Sequence, residues 1–147
     1  MTSLPQILLV EDSQRDAELA MDALEENHIS NDILWVRDGE EALDFLFARG
    51  DFANRPPGNP AVVLLDLKMP KVDGLEVLRT VRANPELSII PFVMMTSSRE
   101  ERDMVTSYEL GVNAYVVKPV QFNEFVEAVK TVGRFWAVLN ERPRNSS

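Results

Sequence analysis

Ala61-Val62-Val63-Leu64-Leu65 is apolar at every position and runs directly into Asp66. A strand with one face in water alternates apolar and polar residues, whereas an unbroken apolar run suits a strand covered by helices on both faces. The rest of the chain repeats this unit. Ile7-Leu8-Leu9-Val10, Ile33-Leu34-Trp35-Val36, Phe92-Val93-Met94-Met95 (introduced by Pro91) and Ala114-Tyr115-Val116-Val117 are four more compact runs. Helical spacing follows each one. It predicts a helix over about residues 13–27 with Ser13 as N-cap, and a second carrying Ala42, Leu43, Phe45, Leu46 and Phe47. A third covers about 74–83 and stops at Asn84-Pro85. A fourth covers about 99–110 with Gly111 at its C′ position, and a fifth starts at Phe122. Strand and helix alternate five times, the pattern of a parallel α/β sheet with right-handed crossovers. Residues 50–60 cluster Gly, Asn and Pro and read as a loop inside one domain, because neither flank is long enough to fold alone.

Composition removes several functions. A net charge of −9 argues against nucleic acid as a direct ligand and admits a cation or a basic protein partner. One histidine, His28, cannot build a histidine metal cage or a Ser-His-Asp triad within one chain, and the absence of cysteine excludes thiolate sites. The chain shows neither a membrane-spanning run nor a signal-peptide start, so a cytoplasmic location away from the membrane is expected.

The polar residues that carry chemistry stand where the apolar runs end. Glu11-Asp12 closes the first, Asp66 the third, Thr96 the fourth and Lys118-Pro119 the fifth. In a parallel sheet those ends lie on one edge, where open α/β sheets bind ligands. Three carboxylates crowded there raise one another's pKa unless a cation neutralises them, and all-oxygen ligands suit Mg²⁺. A carboxylate is a competent nucleophile toward a phosphoryl group. The Thr96 hydroxyl and the Lys118 ammonium can hold phosphoryl oxygens. Pro119 fixes the backbone after the lysine, with a cis bond expected, and Gly74 is expected to supply a backbone conformation closed to other residues. Together these groups are the equipment that an aspartyl-phosphate switch needs.

In order, Ile7-Leu8-Leu9-Val10-Glu11-Asp12, then Leu64-Leu65-Asp66-Leu67-Lys68-Met69-Pro70-Lys71-Val72-Asp73-Gly74, then Met94-Met95-Thr96-Ser97-Ser98, then Gly111-Val112-Asn113-Ala114-Tyr115-Val116-Val117-Lys118-Pro119 resemble the receiver domain of bacterial two-component response regulators. The resemblance spans about residues 6–132. It implies a single receiver domain over 1–147, with the last helix extended to about 140 and a tail at 141–147. It implies a flavodoxin-like, doubly wound five-stranded parallel sheet of order 2-1-3-4-5 with five helices. It also implies that Asp66 accepts phosphate from a sensor histidine kinase, and that Asp12, Asp66 and the carbonyl of Lys68 hold Mg²⁺ while Glu11 holds one of its waters. Thr96 and Tyr115 would be the switch pair that alters the face made by the fourth helix, fifth strand and fifth helix. Lys68 and Ser98 would tune the lifetime of the aspartyl phosphate. Such a protein is a phosphoacceptor that assists its own phosphotransfer and slow dephosphorylation, not a turnover enzyme.

A narrower similarity, carried by Asn54-Arg55-Pro56-Pro57-Gly58-Asn59-Pro60, by Ser107-Tyr108-Glu109-Leu110-Gly111-Val112-Asn113-Ala114-Tyr115 and by the long last helix, is to single-domain regulators that serve phytochrome-type histidine kinases. Phe122, Phe125, Val126, Val129, Val132 and Trp136 form that helix's core stripe. Phe135, Trp136, Val138 and Leu139 then carry apolar character beyond the sheet, which predicts a homodimer contact. Output is expected through a downstream protein or a further phosphotransfer partner.

Three other functions compete. A Mg²⁺-dependent phosphohydrolase of the haloacid-dehalogenase type also uses a strand-end Asp, but it needs a general acid two residues on, where Lys68 stands. A flavin mononucleotide protein needs a Ser/Thr/Gly phosphate loop after the first strand, where Glu11-Asp12-Ser13-Gln14 stands instead. An adaptor that kept the fold and lost the switch would lack some of these groups, and all are present.

Overall fold

The computed structural model describes residues 6–25, 32–67, 69, 72–97 and 114–130. Its elements run β1 (Ile7–Val10), α1 (Gln14–Glu25), β2 (Ile33–Val36), α2 (Gly39–Leu46), a 3₁₀ turn (Gly50–Phe52), β3 (Val62–Asp66), α3 (Gly74–Arg82), β4 (Phe92–Thr96), β5 (Ala114–Val117) and a last helix, Phe122–Lys130. The five strands form one parallel sheet in the order β2-β1-β3-β4-β5, the flavodoxin-like arrangement expected. The expected fourth helix at 99–110, its Gly111 cap, His28 and everything after residue 130 lie outside the described residues.

Alternation along the strands sorts the core into two layers. Ile7 and Leu9 face α1 and the last helix, packing with Ala17, Ala20, Leu24 and Phe125. Leu8 and Val10 face α2 and α3, packing with Ala42, Phe45, Val77, Leu78 and Val81. β3 is buried along its whole length, as its unbroken apolar run requires. Each such side chain taken fully out of water contributes about 1.5–3 kcal/mol.

The register sets the functional edge. Val10 pairs with Leu65, Asp66 with Met95 and Thr96 with Val117. Glu11 therefore stands level with Asp66, Thr96 one residue further out, and Lys118 one beyond that. The edge climbs about 3.3 Å at each of these two steps. β3 and β4 each run one residue past the last apolar position, so Asp66 and Thr96 are strand residues rather than loop residues.

The loop at 50–60 is organised by one side chain. Arg55 donates from Nε to the Phe45 carbonyl (2.6 Å), from one terminal nitrogen to the carbonyls of Pro56 (2.8 Å) and Gly58 (3.0 Å), and from the other to Leu46 (3.4 Å). Its guanidinium lies 4.4 Å above the Phe45 ring. α2 ends in a Schellman arrangement: the Arg49 N–H donates to the Asp44 carbonyl and the Ala48 N–H to Phe45. That places Ala48 in the left-handed region, at φ 52°.

Candidate functional site

Glu11 is fixed by its own backbone before its side chain is considered. Its N–H donates to the Val36 carbonyl (3.1 Å), and its carbonyl accepts from the Trp35 indole Nε1 (2.7 Å). The edge strand β2 thus grips both sides of this one peptide residue. The carboxylate, fully buried, accepts from the Ser13 N–H (3.1 Å) and from Lys118 Nζ (3.1 Å). Burial and the nearby Asp66 push the Glu11 pKa up to about 7, against the opposing pull of Ser13 and Lys118.

Asp66, also buried, sits at the end of β3 with Oδ1 3.3 Å from Lys118 Nζ. Burial raises its pKa as well, although Lys118 works against the shift. For Lys118, burial favours the neutral amine, but Asp66, Glu11 and Asp16 outweigh it and hold the ammonium firmly charged. Carboxylate oxygens of Glu11, Asp12 and Asp66 lie within 4.8 Å of one another. Two of these acids, Glu11 and Asp66, carry raised pKa values, first because they are buried and then because a neighbouring carboxylate repels, with Lys118 opposing both. An oxygen-only set of this kind fits a hard divalent cation. The Lys68 carbonyl expected to complete it lies outside the described residues.

Thr96 closes β4 and is wholly buried, and its Oγ1 has no hydrogen-bond partner, alone in this among buried side-chain atoms of the described residues. An orphaned hydroxyl costs about 1–3 kcal/mol. Its carbonyl accepts from the Lys118 N–H (2.8 Å), which ties β4 to the start of the Lys118–Pro119 turn, and that peptide bond is cis. Tyr115 is half-buried and packs against the α2/α3 layer. Since Met94 pairs with Tyr115 and Thr96 with Val117, Thr96 and Tyr115 share a sheet face.

Gly74 serves the site for a reason other than the one its sequence suggests. It does not adopt a left-handed conformation. α3 begins so close to β3 that a Cβ at Gly74 would collide with the Asp66 carbonyl oxygen and press on Leu67, and the Gly74 N–H donates to the Leu67 carbonyl (3.0 Å). Asp73 caps the helix by accepting from the Glu76 N–H.

Two site residues were not foreseen. Trp35 reads in the sequence as one more strand hydrophobe. Asp16 reads as an acid in a helix's first turn, yet its Oδ2 lies 3.1 Å from Lys118 Nζ. Lys68, Ser98, Phe135, Trp136, Val138 and Leu139 fall outside the described residues.

Residues 7–130 match the family described as the response regulator receiver domain. The response regulator Rcp1 of Synechocystis sp. (strain ATCC 27184 / PCC 6803 / Kazusa) is 41% identical over 130 residues, covering 88% of this chain and 87% of Rcp1. A solved Mn²⁺-bound form of Rcp1 superposes with a TM-score of 0.70 at 40% identity, over 90% of this chain and 94% of that one. The bacteriophytochrome response regulator AtBRR reaches a TM-score of 0.90 at 61% identity, over 95% of this chain and 100% of that one. The phosphorylated cyanobacterial phytochrome response regulator RcpA gives 0.72 at 37% identity, over 92% and 95%. The haloacid-dehalogenase alternative gains no support from these matches. No helix among the described residues is long and apolar enough to cross a membrane.

Proposed function

This chain belongs to the response regulator receiver domain family, and on that premise we propose that Asp66 is its phosphoacceptor, charged by a sensor histidine kinase. The observation that carries this reading is the contact between Asp66 and Lys118 within an acidic trio sized for one divalent cation. Glu11, Asp12, Asp66 and the Lys68 carbonyl would hold Mg²⁺, which when bound supplies charge neutralisation for an approaching phosphoryl group.

A carboxylate oxygen of Asp66 attacks phosphorus. The bond from phosphorus to the kinase's imidazole nitrogen breaks, and its electron pair leaves with that nitrogen, which then takes up a proton. Lys118 passes a hydrogen bond from Asp66 to a phosphoryl oxygen. The buried Thr96 hydroxyl gains in the phosphoryl group the partner it lacks, and Tyr115, on the same face, turns inward behind it. The altered surface is the fourth helix, β5 and the last helix, read by a downstream protein or phosphotransfer partner. Lys68 and Ser98 set how long the acyl phosphate lasts.

Similarity to bacteriophytochrome response regulators supports a phytochrome-type kinase as the donor. One receiver domain, with core about 6–132, cytoplasmic and acting as phosphoacceptor rather than turnover catalyst, completes the reading. Phe135, Trp136, Val138 and Leu139 would form a homodimer contact, supported by their continuous apolar character. Sedimentation at micromolar concentration tests the dimer, and a monomer there ends it.

The phosphoacceptor itself is tested by intact mass after incubation with Mg²⁺ and acetyl phosphate. One added phosphoryl group, lost in alkali and absent from Asp66→Asn, is expected. An unchanged parent mass sinks the proposal, and sustained hydrolysis of phosphate esters would restore the hydrolase.

A further inference from the structure

Asp16 is the third residue of α1, and its N–H donates to the Ser13 hydroxyl (3.2 Å). An acid at that position ordinarily reaches back to the N–H of the capping residue, closing a capping box. Here the Ser13 N–H is already taken by Glu11 Oε1. The Asp16 carboxylate instead meets Lys118, itself held between Glu11 and Asp66.

A lysine ammonium has three N–H donors and no acceptor, and each of the three carboxylates lies within 3.3 Å of it. Two of those partners have other roles in the reading above, on which this inference rests. Asp66 becomes an acyl phosphate, and Glu11 faces the cation. Asp16 is absent from the acidic trio, so it is the partner left over.

We propose that Asp16 is a positioning residue for Lys118, holding the ammonium at the rim while its hydrogen bonds pass from Asp66 and Glu11 to an incoming phosphoryl group. The anchor works through an acceptor oxygen, so its amide can replace it. A long, rotamer-rich side chain tethered at its tip has already lost the freedom it would otherwise lose during transfer.

The test compares the parent with Asp16→Ala and Asp16→Asn. In Asp16→Ala the rate of mass gain with Mg²⁺ and acetyl phosphate falls about tenfold, as expected for loss of one positioning contact. Asp16→Asn stays within about twofold of the parent, because the amide oxygen still accepts from an ammonium. Mn²⁺ affinity by calorimetry stays within about twofold in both, since the carboxylate lies outside the trio. The metal-free protein gives a second readout. The ¹⁵Nζ–H signal of Lys118 is sharp in the parent and in Asp16→Asn, and exchange-broadened in Asp16→Ala.

Parental rates in Asp16→Ala overturn the proposal, and so does faster transfer in both variants, which would make Asp16 an electrostatic brake. If the parent takes no phosphoryl group, the phosphoacceptor reading falls. The Lys118 signal then decides this inference alone, and an unchanged signal in Asp16→Ala rejects it. Melting curves confirm that the variants fold; if Asp16→Ala does not, Asp16→Ser, too short to reach Lys118, takes its place under the same criteria.

Discussion

Lys118 reaches Asp66 across an intervening strand: Nζ lies 3.3 Å from Oδ1, although β4 separates the two strands that carry them. Two strand spacings are about 9.6 Å, so the lysine's stem spans the end of β4, beside Thr96. The same ammonium contacts Glu11 beyond β3. A single cation thus contacts carboxylates from the ends of two strands and from one helix, and the burial of Glu11 and Asp66, which it only partly offsets, gives the edge its pH behaviour.

Glu11 sets the direction of that behaviour. Its folded pKa of about 7 exceeds its ordinary 4.5. Between those values the folded state keeps a proton that the unfolded chain has released. Stability therefore falls as pH rises through this window, and the full cost is present above pH 7. Asp66, shifted in the same direction, adds to the slope. Glu11→Gln is expected to flatten the dependence and to raise stability at pH 8 by about 2–3 kcal/mol. Urea unfolding at pH 5 and pH 8 reads both, and a parent more stable at pH 8 than at pH 5 would contradict the assignment.

Thr96→Val keeps the shape and removes the unpartnered hydroxyl. The unphosphorylated protein should gain about 1 kcal/mol, because an orphaned buried donor is eliminated. The aspartyl phosphate, losing a hydrogen bond, should form more slowly. Chemical denaturation and acetyl phosphate labelling measured on one preparation would show the opposed effects. A variant less stable than the parent would mean that the hydroxyl is already satisfied.

Gly74→Ala sets two effects against each other. Alanine's better helix propensity favours the variant by about 1 kcal/mol. Collision of its Cβ with the Asp66 carbonyl is rigid, backbone against backbone, and opposes it by about 3 kcal/mol. A net loss of about 2 kcal/mol is expected, together with weaker Mn²⁺ binding by titration, since Asp66 must shift. A stabilised variant would show that the approach is looser than described.

Ala48→Gly tests the end of α2. Ala48 holds a left-handed φ that alanine disfavours and glycine does not. Stabilisation of about 0.5–1 kcal/mol is expected from thermal unfolding, with site chemistry untouched, because the C-cap lies away from the functional edge.

The sequence exposed the strands because each is an unbroken apolar run, fully buried in β1, β3 and β4 and partly buried in β2 and β5. Ile7–Val10, Ile33–Val36 and Ala114–Val117 have the bounds that their apolar runs imply. β3 and β4 extend onto Asp66 and Thr96 because the ladder continues regardless of side-chain polarity. Glu11, Asp66, Thr96 and Lys118 were legible for the same reason, since each is the first polar residue after an apolar run. What stayed hidden depends on distances between elements. Gly74 looks like a turn residue, and only the approach of α3 to β3 shows that it is there for want of a Cβ. Asp16 and Trp35 have adequate local explanations, a helix start and an edge strand, and only tertiary placement reveals what they touch.

The proline-rich stretch after α2 has no ladder of its own, and its shape is stored in Arg55. One planar fork serves four carbonyls from two directions while its flat face rests on Phe45. A lysine there would conserve the charge and forfeit the geometry, having too few donors, all at a single point. The prolines can therefore drift in number and spacing while the guanidinium cannot be exchanged, which makes the loop's least conspicuous member its keystone.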